Sequence, residues 1–270
     1  MSDYIAAIVL GVIEGLTEFL PVSSTGHMIL AKPLLGIDDG QPLWRVFLFV
    51  SQLGAILAVV TYFGRDLWRR TFAPAPALRE HLYVKLFVAF VPSVALGLLL
   101  NDYMEAYLEE GPFAPYAVGG ALILGAGAIE WIDRRYRRAG PQTLDDVTFR
   151  QALLIGLCQC VSMWPGVSRA GATIMGGMVV GLTPRVATEF SFYLAIPTML
   201  AAGAYRTLKY RADLTSDILG VVLVGSAVAF AVALAVVAGF LQYVRTKRFT
   251  PFAVYRVLLG LAVLAWHLSK

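Results

Sequence analysis

The sequence predicts an all-α polytopic membrane protein: an inverted-topology repeat with about six transmembrane helices and two re-entrant helical hairpins. Three observations carry that expectation. The 270 residues are 58% hydrophobic and 15% charged, against roughly 45–50% and about 25% in a soluble chain. Six apolar runs approach the roughly 20 residues that a spanning helix needs. Two interruptions rich in proline, glycine and hydroxyls recur at matching places in the two halves. The same composition excludes intrinsic disorder. A formal net charge of +4 gives no reason to expect nucleic acid and fits arginine in cytoplasmic loops. Cys158 and Cys160 are too few for a disulfide scaffold, and no zinc-type Cys/His pattern accompanies them.

The N-terminal stretch does not read as a secretory signal, because it lacks a basic start and carries Asp3 and Glu14. Spans are expected at 46–63, 82–100, 112–129, 190–205, 218–244 and 252–268, the last interrupted by Arg256. Their length and Leu/Ala/Val/Gly mixture favour helix over strand. Four apolar pieces are shorter: 4–20, 22–35, 149–164 and 171–182. One pair is split around Pro21, the other around Pro165. Proline, glycine and small hydroxyls break helices. In hydrocarbon such breaks survive only where protein or a wet cavity satisfies their polar groups. Each pair is therefore expected to be a re-entrant hairpin.

The two regions align at an offset of 145 residues. Gly11 meets Gly156, Glu14 meets Gln159, Ser23 meets Ser168, and Gly26 meets Gly171. A re-entrant pair plus three spans per half is an odd number of crossings, which inverts the second half. The halves are 1–132 and 149–270, joined by a linker at 133–148. Loop charge sets the orientation. Arg65, Arg69, Arg70 and Arg79, then Arg134, Arg135, Arg137 and Arg138, then Arg245, Lys247 and Arg248 mark cytoplasmic loops. Asp102, Glu105, Glu109 and Glu110 mark an outer loop. Arg206, Lys209 and Arg211 disagree, because the scheme puts them outside.

Several polar residues stand out against this apolar background. Glu14 and Glu18 are one helical turn apart and share a face. An ionised acid at mid-membrane costs roughly 2.5–3.5 kcal/mol on insertion scales, and two neighbours repel. A site for a divalent cation, Mg²⁺ or Ca²⁺, accounts for both. Solvation at the membrane edge, or pairing with a buried arginine, is the plainer alternative. Ser23, Ser24 and Thr25 precede a new half-helix, whose free N–H groups make an anion site. Ser168, Arg169 and Thr173 repeat that arrangement, and a buried guanidinium suits phosphate. His27 is a candidate acid, base or nucleophile. Gln52 and Gln159 are buried amides with at most supporting roles. Together these residues fit a phosphorylated amphiphile.

The run from Glu14 to His27, EGLTEFLPVSSTGH, and the run from Pro165 to Thr173, PGVSRAGAT, resemble the two motifs of the undecaprenyl-pyrophosphate phosphatase family of bacterial membrane enzymes. Gln52–Val60 and Glu189–Phe192 extend the likeness over nearly the whole chain. Ala170 departs from it, standing where serine is usual. The resemblance implies hydrolysis of undecaprenyl diphosphate to the monophosphate and phosphate, recycling the carrier for peptidoglycan synthesis. Bacitracin resistance would follow indirectly, by depletion of the drug's lipid target. The resemblance also implies a metal requirement and a site open to the outer side of the inner membrane. Glu14 and Glu18 would serve the metal and diphosphate. Arg169 would bind diphosphate with Ser168 and Thr173, and Ser23, Thr25 and Gln52 belong to the same binding set. Ser24, His27 or water would attack phosphorus, with a Ser24–His27 pair as the first hypothesis. The expected partners are the polyprenyl diphosphate and membrane lipids, with a homodimer left open. A flippase for the same lipid is the alternative function, since inverted repeats with broken helices also build transporters.

Overall fold

The structure is a computed structural model. It describes residues 2–38, 40–72, 81–104, 113–137, 140 and 143–269, with backbone alone at 101–104. Arg79, Glu105, Glu109, Glu110, Pro112 and Arg138 lie outside the described residues, as does the side chain of Asp102. Among the described residues there are eleven α-helices and no strand. They are α1 (Asp3–Thr17), α2 (Ser24–Leu34), α3 (Pro42–Tyr62), α4 (Gly64–Phe72), α5 (Leu82–Met104), α6 (Ala114–Tyr136), α7 (Phe149–Val161), α8 (Arg169–Val179), α9 (Pro184–Lys209), α10 (Ser216–Thr246) and α11 (Thr250–Leu268). Six of these, α3, α5, α6, α9, α10 and α11, are long and apolar enough to cross a membrane. The chain is an all-α, multi-pass membrane protein.

Helix ends differ from the sequence expectation where local chemistry overrides hydropathy. α9 begins six residues before the apolar run, because Thr183 caps it by accepting from Val186 N and Pro184 occupies its first turn. α6 continues through Asp133 to Tyr136, into the expected linker. Thr148 and Gln151 form a reciprocal capping box that starts α7. The Arg65–Arg70 stretch is not loop but helix α4. Its Arg70 bridges Asp66 (2.6 Å) and Asp145 (2.5 Å), while Tyr193 donates to Asp66. Lys85 Nζ donates to Asp145 O at 2.8 Å. These bonds gather α4, α5, α9 and the linker at one end of the bundle.

The halves pack in exchanged pairs. α1 lies on α10 and α7 lies on α5; α2 touches α11 and α8 touches α6. The matched glycines explain the closest of these contacts. A Cβ on Gly11 would strike the α10 backbone at Gly225, and one on Gly156 would strike the α5 backbone at Ala89. Small residues let membrane helices approach to backbone contact.

The two breaks share one geometry. Ser23 (φ 71°) and Ser168 (φ 75°) are the non-glycine residues with positive φ among the described residues. Each caps the next helix through its side chain, accepting from Gly26 N and Gly171 N respectively. Such backbone costs on the order of 1–3 kcal/mol per residue and persists only where surroundings impose it. The surroundings here centre on Arg256, which is fully buried in α11. Its guanidinium donates to Pro21 O in one break (3.2 Å) and to Gly166 O and Val167 O in the other (both 3.0 Å). It also donates to Ala121 O (3.0 Å) and Leu122 O (3.3 Å) of α6. A residue that interrupts the sixth span in the sequence is thus the brace between both breaks. Ser168 Oγ adds a donation to Leu20 O at 3.5 Å.

Replacing Arg256 with leucine strips the break carbonyls of Pro21, Gly166 and Val167 of their donor, while Ala121 O and Leu122 O keep their bonds within α6. Each unsatisfied buried carbonyl costs about 1–3 kcal/mol, so Arg256→Leu should lower stability by more than about 3 kcal/mol. Thermal unfolding of the detergent-purified protein checks this, with the exposed Arg245→Gln expected to be near neutral.

Candidate active site

A cavity of about 450 Å³ opens between the two breaks and the spans around them. Its polar wall comes from Glu14 (α1), Ser24 and Thr25 (α2), Gln52 (α3), Gln159 (α7) and Arg169 (α8). Leu48, Val94 and Ala201 add apolar surface. Arg206 also lines it, which gives the discordant outer cations a place: Arg206 faces the cavity, while Lys209 covers the Tyr210 ring.

The chemistry-bearing side chains form one connected array. Ser24 Oγ donates to Glu18 Oε2 at 3.0 Å. Glu18 Oε1 lies 3.5 Å from Arg169 Nη2. Arg169 Nη1 donates to Ser191 O at 3.3 Å, and its guanidinium lies 5.7 Å from the centre of the Phe19 ring. Arg169 Nε and Nη2 are buried without a hydrogen-bond acceptor. Glu14 is 2% exposed, and its Oε1 is likewise without a donor. A protein interior seldom leaves such groups unmet. The unmet donors suit an anion and the unmet carboxylate oxygen suits a cation or a donor. The residues present therefore fit a divalent cation at Glu14 and Glu18 beside a phosphate at Arg169. Among the described residues no group of three or more His, Cys, Asp or Glu gathers, so any cation there draws its remaining oxygens from neutral groups, substrate or water.

The expected Ser24–His27 pair is not made. His27 Nδ1 lies 2.8 Å from Ser23 O and must donate, since a carbonyl only accepts. The neutral ring then accepts at Nε2 from Tyr255 OH, 2.7 Å away. Both ring nitrogens are engaged, and Ser24 turns to Glu18 instead. Tyr255 is a residue that sequence reasoning missed; it is 228 positions from His27 and carries no motif.

Three members of the expected binding set stand behind the cavity wall. Ser23 and Ser168 serve the breaks as caps. Thr173 is fully buried, donates to Arg169 O at 2.8 Å and shares a hydrogen bond with Ser191 Oγ at 2.6 Å. It holds the segment that carries Arg169 against α9. Thr25 and Gln52 line the cavity.

Fold and site together define an integral membrane protein equipped to handle a phosphorylated, partly apolar ligand. The chain belongs to the family described as bacitracin resistance protein BacA, whose pattern matches residues 7–262. It is 45% identical to the undecaprenyl-diphosphatase of Novosphingobium aromaticivorans, over 98% of each chain. It is 41% identical to that of Nitrobacter hamburgensis, over 100% of this chain and 99% of the relative. Against that of Nitrosomonas europaea it is 44% identical, over 96% and 92%.

If Arg169 binds a phosphate through Nε and Nη2, a point charge should not replace it. Arg169→Lys should weaken diphosphate binding at least tenfold, read as the inhibition constant of a non-hydrolysable prenyl bisphosphonate.

Proposed function

We propose that the chain hydrolyses undecaprenyl diphosphate to undecaprenyl phosphate and inorganic phosphate. The observation that carries this reading is that Ser24, Arg169 and Glu14, with its unmet Oε1, line one cavity, while Glu18 links Ser24 to Arg169. A pure flippase would have no use for a hydroxyl bonded to a carboxylate at the phosphate position, and the relatives above are named as diphosphatases. The cavity is lined by residues of a single chain.

In this reading Ser24 Oγ attacks the terminal phosphorus while Glu18 takes its proton, and the bond from that phosphorus to the bridging oxygen breaks. Undecaprenyl phosphate leaves. Water then attacks the phosphoserine and restores Ser24, releasing phosphate. Arg169 and the N–H groups at the start of α2 meet the charge on the transferred oxygens. Glu14 and Glu18 would hold a divalent cation, Mg²⁺ or Ca²⁺, which supplies positive charge to the diphosphate oxygens. His27, locked between Ser23 and Tyr255, steadies the start of α2.

The same reading makes residues 1–132 and 149–270 inverted copies. It places the chain in the bacterial inner membrane, with basic loops in the cytoplasm and the cavity open outward. The like geometry of Ser23 and Ser168, and the exchanged helix pairs, support the repeat. The arginine clusters support the orientation.

Purified protein in detergent should release phosphate from farnesyl and undecaprenyl diphosphates and stop when a chelator is added. Glu18→Gln and Ser24→Ala should each lower turnover about 10²–10⁴-fold, while Tyr255→Phe should stay within about tenfold of wild type. Near-normal turnover in Ser24→Ala together with its loss in His27→Ala would move the attacking role to histidine or water.

A further inference from the structure

The hydrolytic scheme leaves one buried polar residue of the cavity without a task. Gln159 is 1% exposed and lines the same cavity as Glu14. Its Nε2 donates to Ser93 Oγ at 2.6 Å and to Thr198 Oγ1 at 3.3 Å. Those hydroxyls have committed their own protons. Ser93 Oγ donates to Phe90 O at 2.9 Å, and Thr198 Oγ1 donates to Leu194 O at 2.8 Å. Each can therefore only accept from Gln159, which fixes the amide with its nitrogen toward them. A flipped amide would set oxygen against two oxygens with no hydrogen between. The fixed amide leaves Oε1 buried without a partner, as Glu14 Oε1 is left in the same cavity.

Two buried acceptor oxygens from different halves of the chain, both unmet, ask for an electropositive ligand. Hard divalent cations take about six to eight oxygens and commonly include side-chain amide carbonyls. Glu14 and Glu18 supply few of these, and no third acidic residue, histidine or cysteine joins them among the described residues.

We propose that Gln159 Oε1 is a direct ligand of the divalent cation held by Glu14 and Glu18, with Ser93 and Thr198 fixing its orientation. This rests on the cation reading given above and extends it to the second half of the chain. The site would then close only when α1 and α7 are brought to the same cavity. Cation binding would report their docking as well as the carboxylate charge.

The test is a direct binding measurement on the full chain in detergent, with Mn²⁺ as the probe and its free fraction read by electron paramagnetic resonance. Gln159→Met, which keeps bulk and loses the acceptor, should weaken Mn²⁺ binding by about tenfold or more. Gln159→Glu, which adds a charge, should tighten it. Ser93→Ala/Thr198→Val, which frees the amide to turn, should weaken it less than Gln159→Met. Unfolding midpoints without metal show whether each variant is folded, and if Gln159→Met is not, the other two decide. Wild-type Mn²⁺ affinity in both Gln159 variants, alongside its loss in Glu14→Gln, would overturn the proposal and leave Gln159 as a water-holding or structural residue. Absence of Mn²⁺ binding by the wild type would instead overturn the cation reading itself, and this proposal with it.

Discussion

A buried guanidinium that donates to five backbone carbonyls, three of them in the helix breaks, braces this fold. The two breaks expose carbonyls that regular helix would have bonded, and hydrocarbon offers them nothing. Arg256 reaches Pro21 in one break, Gly166 and Val167 in the other, and the backbone of α6. Arginine suits the task because its planar fork carries five donors and keeps its charge. With that brace in place, the positive φ of Ser23 and Ser168 can be sustained. The chain can then break helix twice with these carbonyls bonded.

The site is a consequence of the same constraint. Once the breaks meet, α2 and α8 begin there, and the residues at or just beyond their starts, Ser24 and Arg169, come together. α1 delivers Glu18 to both of them, bonding the hydroxyl with one oxygen and facing the guanidinium with the other. The charges are tolerable where they answer one another; the donors and acceptors left unmet carry a cost that a bound ligand would relieve. The pairing of a serine with a carboxylate, rather than with a histidine, follows from where His27 is held.

Much of this was legible in the sequence, and the reasons are physical. Ionisable residues in apolar runs are costly, so Glu14, Glu18 and Arg169 marked the site by their presence alone. Proline and glycine beside hydroxyls marked both breaks. The offset of 145 residues paired Ser23 with Ser168 and Gly11 with Gly156, and each pair plays matching parts in the structure. Other features had no local signature. Arg256 read as a flaw in a span because its five acceptors come from three distant segments. Tyr255 is one tyrosine among twelve, and only tertiary packing brings it to His27. Thr173 read as a ligand to substrate from its place in a motif, whereas burial assigns it to holding Arg169's segment. Helix α4 was hidden because its arginines looked like topology signals, and its order comes from Asp66 and Asp145.

The central claim is that the two breaks touch, and covalent trapping tests it most directly. A Cβ on Gly171 would lie 3.7 Å from Pro21 Cβ, close to the spacing of about 3.8 Å in disulfides. Pro21→Cys/Gly171→Cys can be made with Cys158 and Cys160 replaced by alanine and a protease site placed at the exposed Thr143. After oxidation in native membranes and cleavage, the account predicts that both halves run as one band until a reductant is added. Two separate fragments under oxidising conditions, from protein that remains folded, would contradict it.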